Sequence, residues 1–443
     1  MFLARLLVLF SLVCISCAHS SFEQKQLKHA LDFATSNRLE LEILLQHYTY
    51  DSLKLEAAKF LIRNMPHCYS YQQGGEMDSV KRVRTYYSPF GQIDQTYARR
   101  WGHYTYRNLP KIYDAHIITA EYLIDNIDRA FDNWQKRPWN RSLSFEDFCE
   151  YLLPYRIGDE PLEEWRELYE KKYGYLLDSI YKGSDVVEAA NLVSRHLQEP
   201  VFIYCEDFEL PHIGPRYLFS HRYGSCVDAA DIVTYAFRAV GIPCMEDTDA
   251  RGGHVWNVVR DTTGRDVPIW YIASEAVRGS RDTGGYKRGK VYRPMYGFQE
   301  EKAAHLGDDW KSMPLLFYHP YMKDVSYAYY PDTLRILTGI PDDEVCYLAH
   351  FHEAHWWSCA CARSASGKME IPNLESELVY LPIKYTKGNY YPSGFPFWFA
   401  GGEINTFLPD WEKTVKVRLY RKYPVYGCAA LWAMWWEVLL REV

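Results

Sequence analysis

The chain has no surplus of basic residues. Its 50 Lys and Arg stand against 57 Asp and Glu, a formal net charge of -7 with both signs interspersed. Without a basic stripe, nucleic-acid binding has no electrostatic support. Beyond the first residues it also lacks any apolar run long enough to cross a bilayer. Beyond the first residues, paired cysteines at two-residue spacing are missing too. Cys359-Ala360-Cys361 is too close and has no second pair, so no structural zinc, and no other metal or cofactor, is expected. Repeats and low-complexity tracts are absent. What is present is a globular composition of 443 residues, too long for one ordinary core, so two or three domains are expected. The 38 tyrosines and 14 tryptophans point to large aromatic cores. Stacking platforms for sugars or peptides are the sharper alternative.

The first residues read as a leader. Arg5 is followed by an apolar stretch from Leu6 to Ile15, too short to span a bilayer. Residues 1–17 are expected to be a signal peptide. Cys17, after Ile15-Ser16, resembles a bacterial lipoprotein cleavage site, although Cys14 replaces the usual leucine. Cleavage after Ala18 is the alternative. Either way an exported protein is expected, periplasmic or an outer-membrane lipoprotein with a lipid anchor. Removing Cys14 and Cys17 from the 11 cysteines leaves nine. If Cys226 is a free nucleophile, eight remain that could pair in an oxidising compartment.

Periodicity divides the rest. Residues 18–199 read as mainly helical. Leu27, Leu31 and Ala34 recur at helical spacing, and Asp51 precedes Leu53, Ala57, Phe60 and Leu61. Ser144 with Asp147 looks like a capping box, Pro161 fits a first helical position, and a helix is expected over Asp185 to Leu197. The Tyr- and Arg-rich stretch from Gly74 to Trp139 gives no clear elements. Within 200–322 a helix opens at Cys226 and ends at Gly241 and Pro243. Strands follow at His254–Val259 and Val267–Ile272, joined by the turn Asp261-Thr262-Thr263-Gly264. Residues 323–443 read as β, with strands at Val345–Phe351, Trp356–Ala362, Leu378–Ile383 and Val415–Tyr420, suggesting a sandwich. The stretch Gly427 to Leu440 is more apolar than a solvated end, and reads as a truncated remnant or a docking segment.

The candidate chemistry sits in Gly224-Ser225-Cys226-Val227-Asp228 and Gly253-His254-Val255-Trp256-Asn257. A cysteine attacks as the thiolate, and a helix N-terminus and a nearby imidazole both favour that form. Alternation puts Asn257 opposite His254 and Trp256, which favours a structural role for it.

Together with Arg238-Ala239-Val240-Gly241-Ile242-Pro243, these blocks resemble the transglutaminase-like core. Phe148 to Arg156, Ala57 to Ile62 and Leu419 to Pro424 extend the likeness to exported transglutaminase-like proteins of Bacteroidetes. The resemblance implies an α+β fold with a helical N-terminal region, a papain-like core and a C-terminal β-sandwich. It implies Cys226 as nucleophile and His254 as base. The family's aspartate, two residues after the strand proline, is replaced here by Trp270. Asp266 and Glu275 are the nearby substitutes, with Glu275 preferred as the third catalytic residue. The implied activity is thiol-dependent amide hydrolysis or acyl transfer on a peptide or glycan substrate. An inactive core that binds glycan or peptide is the alternative.

Overall fold

The computed structural model describes residues 22–87, 105–199, 201–204, 210–250, 253–270, 274–281, 287–299, 313–337, 344–352, 355–410, 412–413, 415–416 and 439–440. The expected leader with Cys17, the tail up to residue 438, and residues 417–420 of the last expected strand lie outside these. Helix and strand are mixed, and the sheets are antiparallel apart from one short pair.

Helices dominate the first half. Residues 22–33 form α1, followed by α2 (Arg38–His47), α3 (Ser52–Asn64), α4 (Gly75–Tyr87), α5 (Ala120–Lys136), α6 (Phe145–Tyr151), α7 (Arg166–Tyr175) and α8 (Val186–Leu197). Short polar side chains fix the starts. Asp51 accepts from Lys54 N–H, Ser144 from Asp147 N–H and Asp185 from Val187 N–H, each satisfying a donor that has no partner inside its helix. Pro161 does not open a helix; α7 begins five residues later. The reason is Glu160. Its carboxylate accepts from the backbone N–H groups of Ile157 and Gly158, which fixes this stretch as an irregular turn.

Strand β1 (Tyr69–Tyr71) pairs with β2 (Lys111–Tyr113), which lies in the stretch that periodicity left unread. Strand β3 (Ile203–Tyr204) lies parallel to β4 (Tyr223–Gly224), with α9 (Pro215–His221) before β4 and α10 (Cys226–Ala239) after it. Next come β5 (Cys244–Asp249), β6 (Val255–Arg260), β7 (Asp266–Ile269), β8 (Val291–Pro294) and β9 (Met322–Asp324), in the order β7-β6-β5-β8-β9. The β6–β7 turn is the expected one. Asp261 Oδ1 accepts from Thr263 N–H and Gly264 N–H bonds Asp261 O.

Alternation gives this sheet two apolar faces. Val259, Val267 and Ile269 share a core with Ile232, Val233 and Ala236 of α10, with Val240 just past its end, and with Tyr169, Tyr173, Val193 and Leu197 of α7 and α8. Two helices from the N-terminal segment are therefore built into the core around α10. On the other face Trp256 and Val258 pack with Tyr151, Val291 and Tyr329.

The C-terminal part holds β10 (Leu334–Leu337), β11 (Val345–His352), β12 (His355–Arg363), β13 (Lys368–Ile371), β14 (Leu378–Thr386), β15 (Asn389–Pro392), β16 (Phe397–Ala400) and β17 (Glu403–Thr406). Six of these form one sheet, ordered β12-β11-β14-β16-β17 with β15 beside β14. The β10–β13 pair packs Leu334, Met369 and Ile371 against its Leu348, Tyr380, Phe397 and Phe399. Seven cysteines are described, and all seven are free thiols.

Candidate active site

Cys226 is the first residue of α10, where backbone N–H groups lack helical partners. Ser225 and Asp228 form a reciprocal capping box around it, with Ser225 N–H donating to Asp228 Oδ2 at 2.8 Å. The approach is constrained. Gly224 has φ 152°, and a Cβ there would overlap the Asp228 side chain. Two residues earlier Arg222 is left-handed at φ 51°, a state that costs a non-glycine residue about 1–2 kcal/mol. Its buried guanidinium, bonded to Leu197 O and the Tyr173 hydroxyl, holds it there.

His254 immediately precedes β6. Its carbonyl accepts from Asp249 N–H at 3.3 Å and Thr248 Oγ1 at 3.0 Å, and Asp249 Oδ1 accepts from Gly253 N–H at 2.8 Å. The β5–β6 loop is thus closed around it. Its ring stacks on Trp256 at 5.7 Å between centroids and meets the Trp270 edge at 4.7 Å. Trp256 is itself fixed: its indole N–H donates to Tyr329 Oη, which donates to Asp247, which pairs with Arg293.

Asn257 joins strand to helix. Its Nδ2 donates to Ala230 O at 3.0 Å and Thr234 Oγ1 at 2.9 Å. Strand β5 returns along α10 and β6 reverses again, so β6 runs in the sense of α10. Ala230 lies one turn past Cys226, about 6 Å along the axis. Asn257 lies three residues past His254, about 10 Å along the strand. Both offsets point the same way, so the Cys226 and His254 backbones stand at the same end of the layer. At that end the His254 ring lies against Trp256 and Trp270. Both residues are nearly covered, 6% and 8% exposed.

The carboxylates go elsewhere. Glu275 forms an ion pair with Arg195 of α8 at 2.5 Å, and both side chains are half exposed. Asp266 lies opposite Arg260, at the far end of β6 from His254, and is engaged by Arg293, Arg260 and Tyr151. At the position where the resemblance asks for aspartate, the Trp270 ring is what touches the imidazole.

A second polar cluster was not legible in the sequence. His212 Nδ1 lies 2.9 Å from Asp231 Oδ2 on α10. Burial alone would lower the His212 imidazole, but Asp231 outweighs it and holds it well above its ordinary value. Burial pushes Asp231 up to about 6 despite His212. His212 lines a cavity of about 280 Å³ with His67, Cys68, Arg156, Arg238 and Glu246. The cluster joins residues from the two ends of the helical segment to α10 and β5, so no local motif announces it. Cys226 and His254 do not line this cavity.

Comparison of the chain with protein-family models, with curated proteins and with solved structures finds no match.

Proposed function

We propose that this chain is an exported thiol-dependent amide hydrolase or acyl transferase with a papain-like, transglutaminase-like core and a C-terminal β-sandwich. The observation that carries the reading is the placement of Cys226: first turn of α10, on a constrained glycine turn, at the end of the layer where His254 precedes β6. Four of the other described thiols are unsuited. Burial pushes Cys68, Cys149 and Cys359 up, and Cys244 up to about 12, which keeps them protonated.

In this reading Cys226 Sγ attacks an amide carbonyl carbon while His254 takes the thiol proton. The tetrahedral intermediate collapses, the C–N bond breaks, and the imidazolium protonates the leaving amine. Water then attacks the thioester, His254 accepts its proton, and acid and thiol are released. An amine in place of water gives transfer instead. Trp256 and Trp270 pack against the imidazole.

The test is labelling of folded protein with a thiol-directed acylating probe, read by mass spectrometry of each cysteine peptide. Preferential acylation of Cys226, slowed at least tenfold in His254→Ala with an unchanged melting curve, is expected. Equal labelling of the wild type and Cys226→Ala refutes the reading.

A further inference from the structure

The C-terminal sheet carries a feature that the thiol chemistry does not use. Trp356 pairs with Phe351 across β12 and β11, and Trp398 pairs with Val379 across β16 and β14. The β11–β14 register sets His350 against Tyr380, so the next pair is Phe351 with Val379. Trp356, Phe351, Val379 and Trp398 therefore form one continuous row across four neighbouring strands. Alternation puts the row on one face. Tyr380, Phe397 and Phe399 point into the core shared with β10 and β13, so their neighbours Val379 and Trp398 point the other way. Further along that second face, Ala349, Leu381 and Ile383 are covered by Phe317 and Tyr292. The row itself is not covered. Phe351 is 48% exposed, Trp356 39% and Trp398 38%. Three strand spacings put its outer members about 14 Å apart.

Three aromatic rings held half in water by a rigid sheet suit a ligand with flat apolar faces. The surroundings narrow the class. None of the four row positions is charged, and Asn405, opposite Trp398, continues the row with an exposed amide. Ser358, two residues along β12 on the same side as Trp356, adds a hydroxyl that donates to Tyr390 Oη at 2.7 Å. A neutral row with amide and hydroxyl groups matches a neutral ligand rich in hydroxyls. An extended peptide is a poorer fit. It binds sheets by adding to an edge, where backbone groups are unpaired, whereas this row lies on the face of strands already paired on both sides at β11 and β14.

We propose that the Trp356–Phe351–Trp398 row is a binding surface for a neutral glycan, stacked on the rings with the side-chain amide and hydroxyls at its flanks. It stands independently of the Cys226 reading.

The test is native affinity electrophoresis of the full chain through gels that each contain one soluble neutral polysaccharide: a β-glucan, an α-glucan, a mannan or a xylan. Retardation in at least one gel is expected. Trp356→Ala and Trp398→Ala should each weaken it by about tenfold, the scale of losing one stacked ring. Trp357→Ala, which alternates to the opposite face, should leave it intact. Thermal melts of all three variants check the fold. Retardation in none of the gels overturns the proposal. So does retardation that survives the Trp356→Ala, Trp398→Ala double variant. Concentration-dependent dimerisation lost in the double variant, without glycan retardation, assigns the row to a second copy of this chain instead.

Discussion

Replacing Asn257 with alanine should loosen α10 from the sheet that presents His254. The amide is fully buried, and its Nδ2 donates to Ala230 O and to Thr234 Oγ1. Losing two such bonds costs about 2–3 kcal/mol. The vacated amide volume adds about 1 kcal/mol by the cavity scale. One gain offsets this: Asn257 Oδ1 is buried with no partner among the described residues, and removing an unsatisfied acceptor returns about 1 kcal/mol. The net expectation is a loss of about 2–3 kcal/mol in urea unfolding, with the slope unchanged. Because the same amide sets the register of Cys226 against His254, alkylation of Cys226 in folded protein should also change rate. A stability change below about 0.5 kcal/mol, the level of an ordinary surface substitution, refutes the claim that this side chain pins helix to strand.

Two further outcomes test the site. Gly224→Ala should cost about 2 kcal/mol or more in thermal or urea unfolding, because the new methyl meets Asp228 and the backbone stays at positive φ; a neutral result would mean that the turn before Cys226 is not constrained. Glu275→Gln should leave Cys226 acylation within about twofold and stability within about 0.5 kcal/mol, since its partner Arg195 is half exposed; a large fall in acylation would restore Glu275 as the group that orients His254.

Local signals located the elements around the candidate site. The stop at Gly241 and Pro243 and the Asp261–Gly264 turn each act within a few residues, so spacing alone marks the end of α10 and the β6–β7 hairpin. Alternation also assigned Asn257 and Trp256 to opposite faces, because side chains in a strand point up and down by turns. Pro161 shows the limit of local reading: it fits a helix start, yet Glu160 bonds the preceding backbone and the helix waits until Arg166.

Partners across the chain were a matter for the fold. Glu275 reads as a free acid beside a strand until α8 brings Arg195 to it. Asp231 reads as one more polar helix residue until His212, nineteen positions earlier, is folded against it. The aromatic row needs the registers of four strands before Phe351, Trp356 and Trp398 become neighbours. Sequence by itself determined which backbone conformations are cheap and which faces are apolar, since those depend on residues a few positions apart. Which charges meet and which rings are covered depend on long-range packing, and the tertiary structure alone decided them.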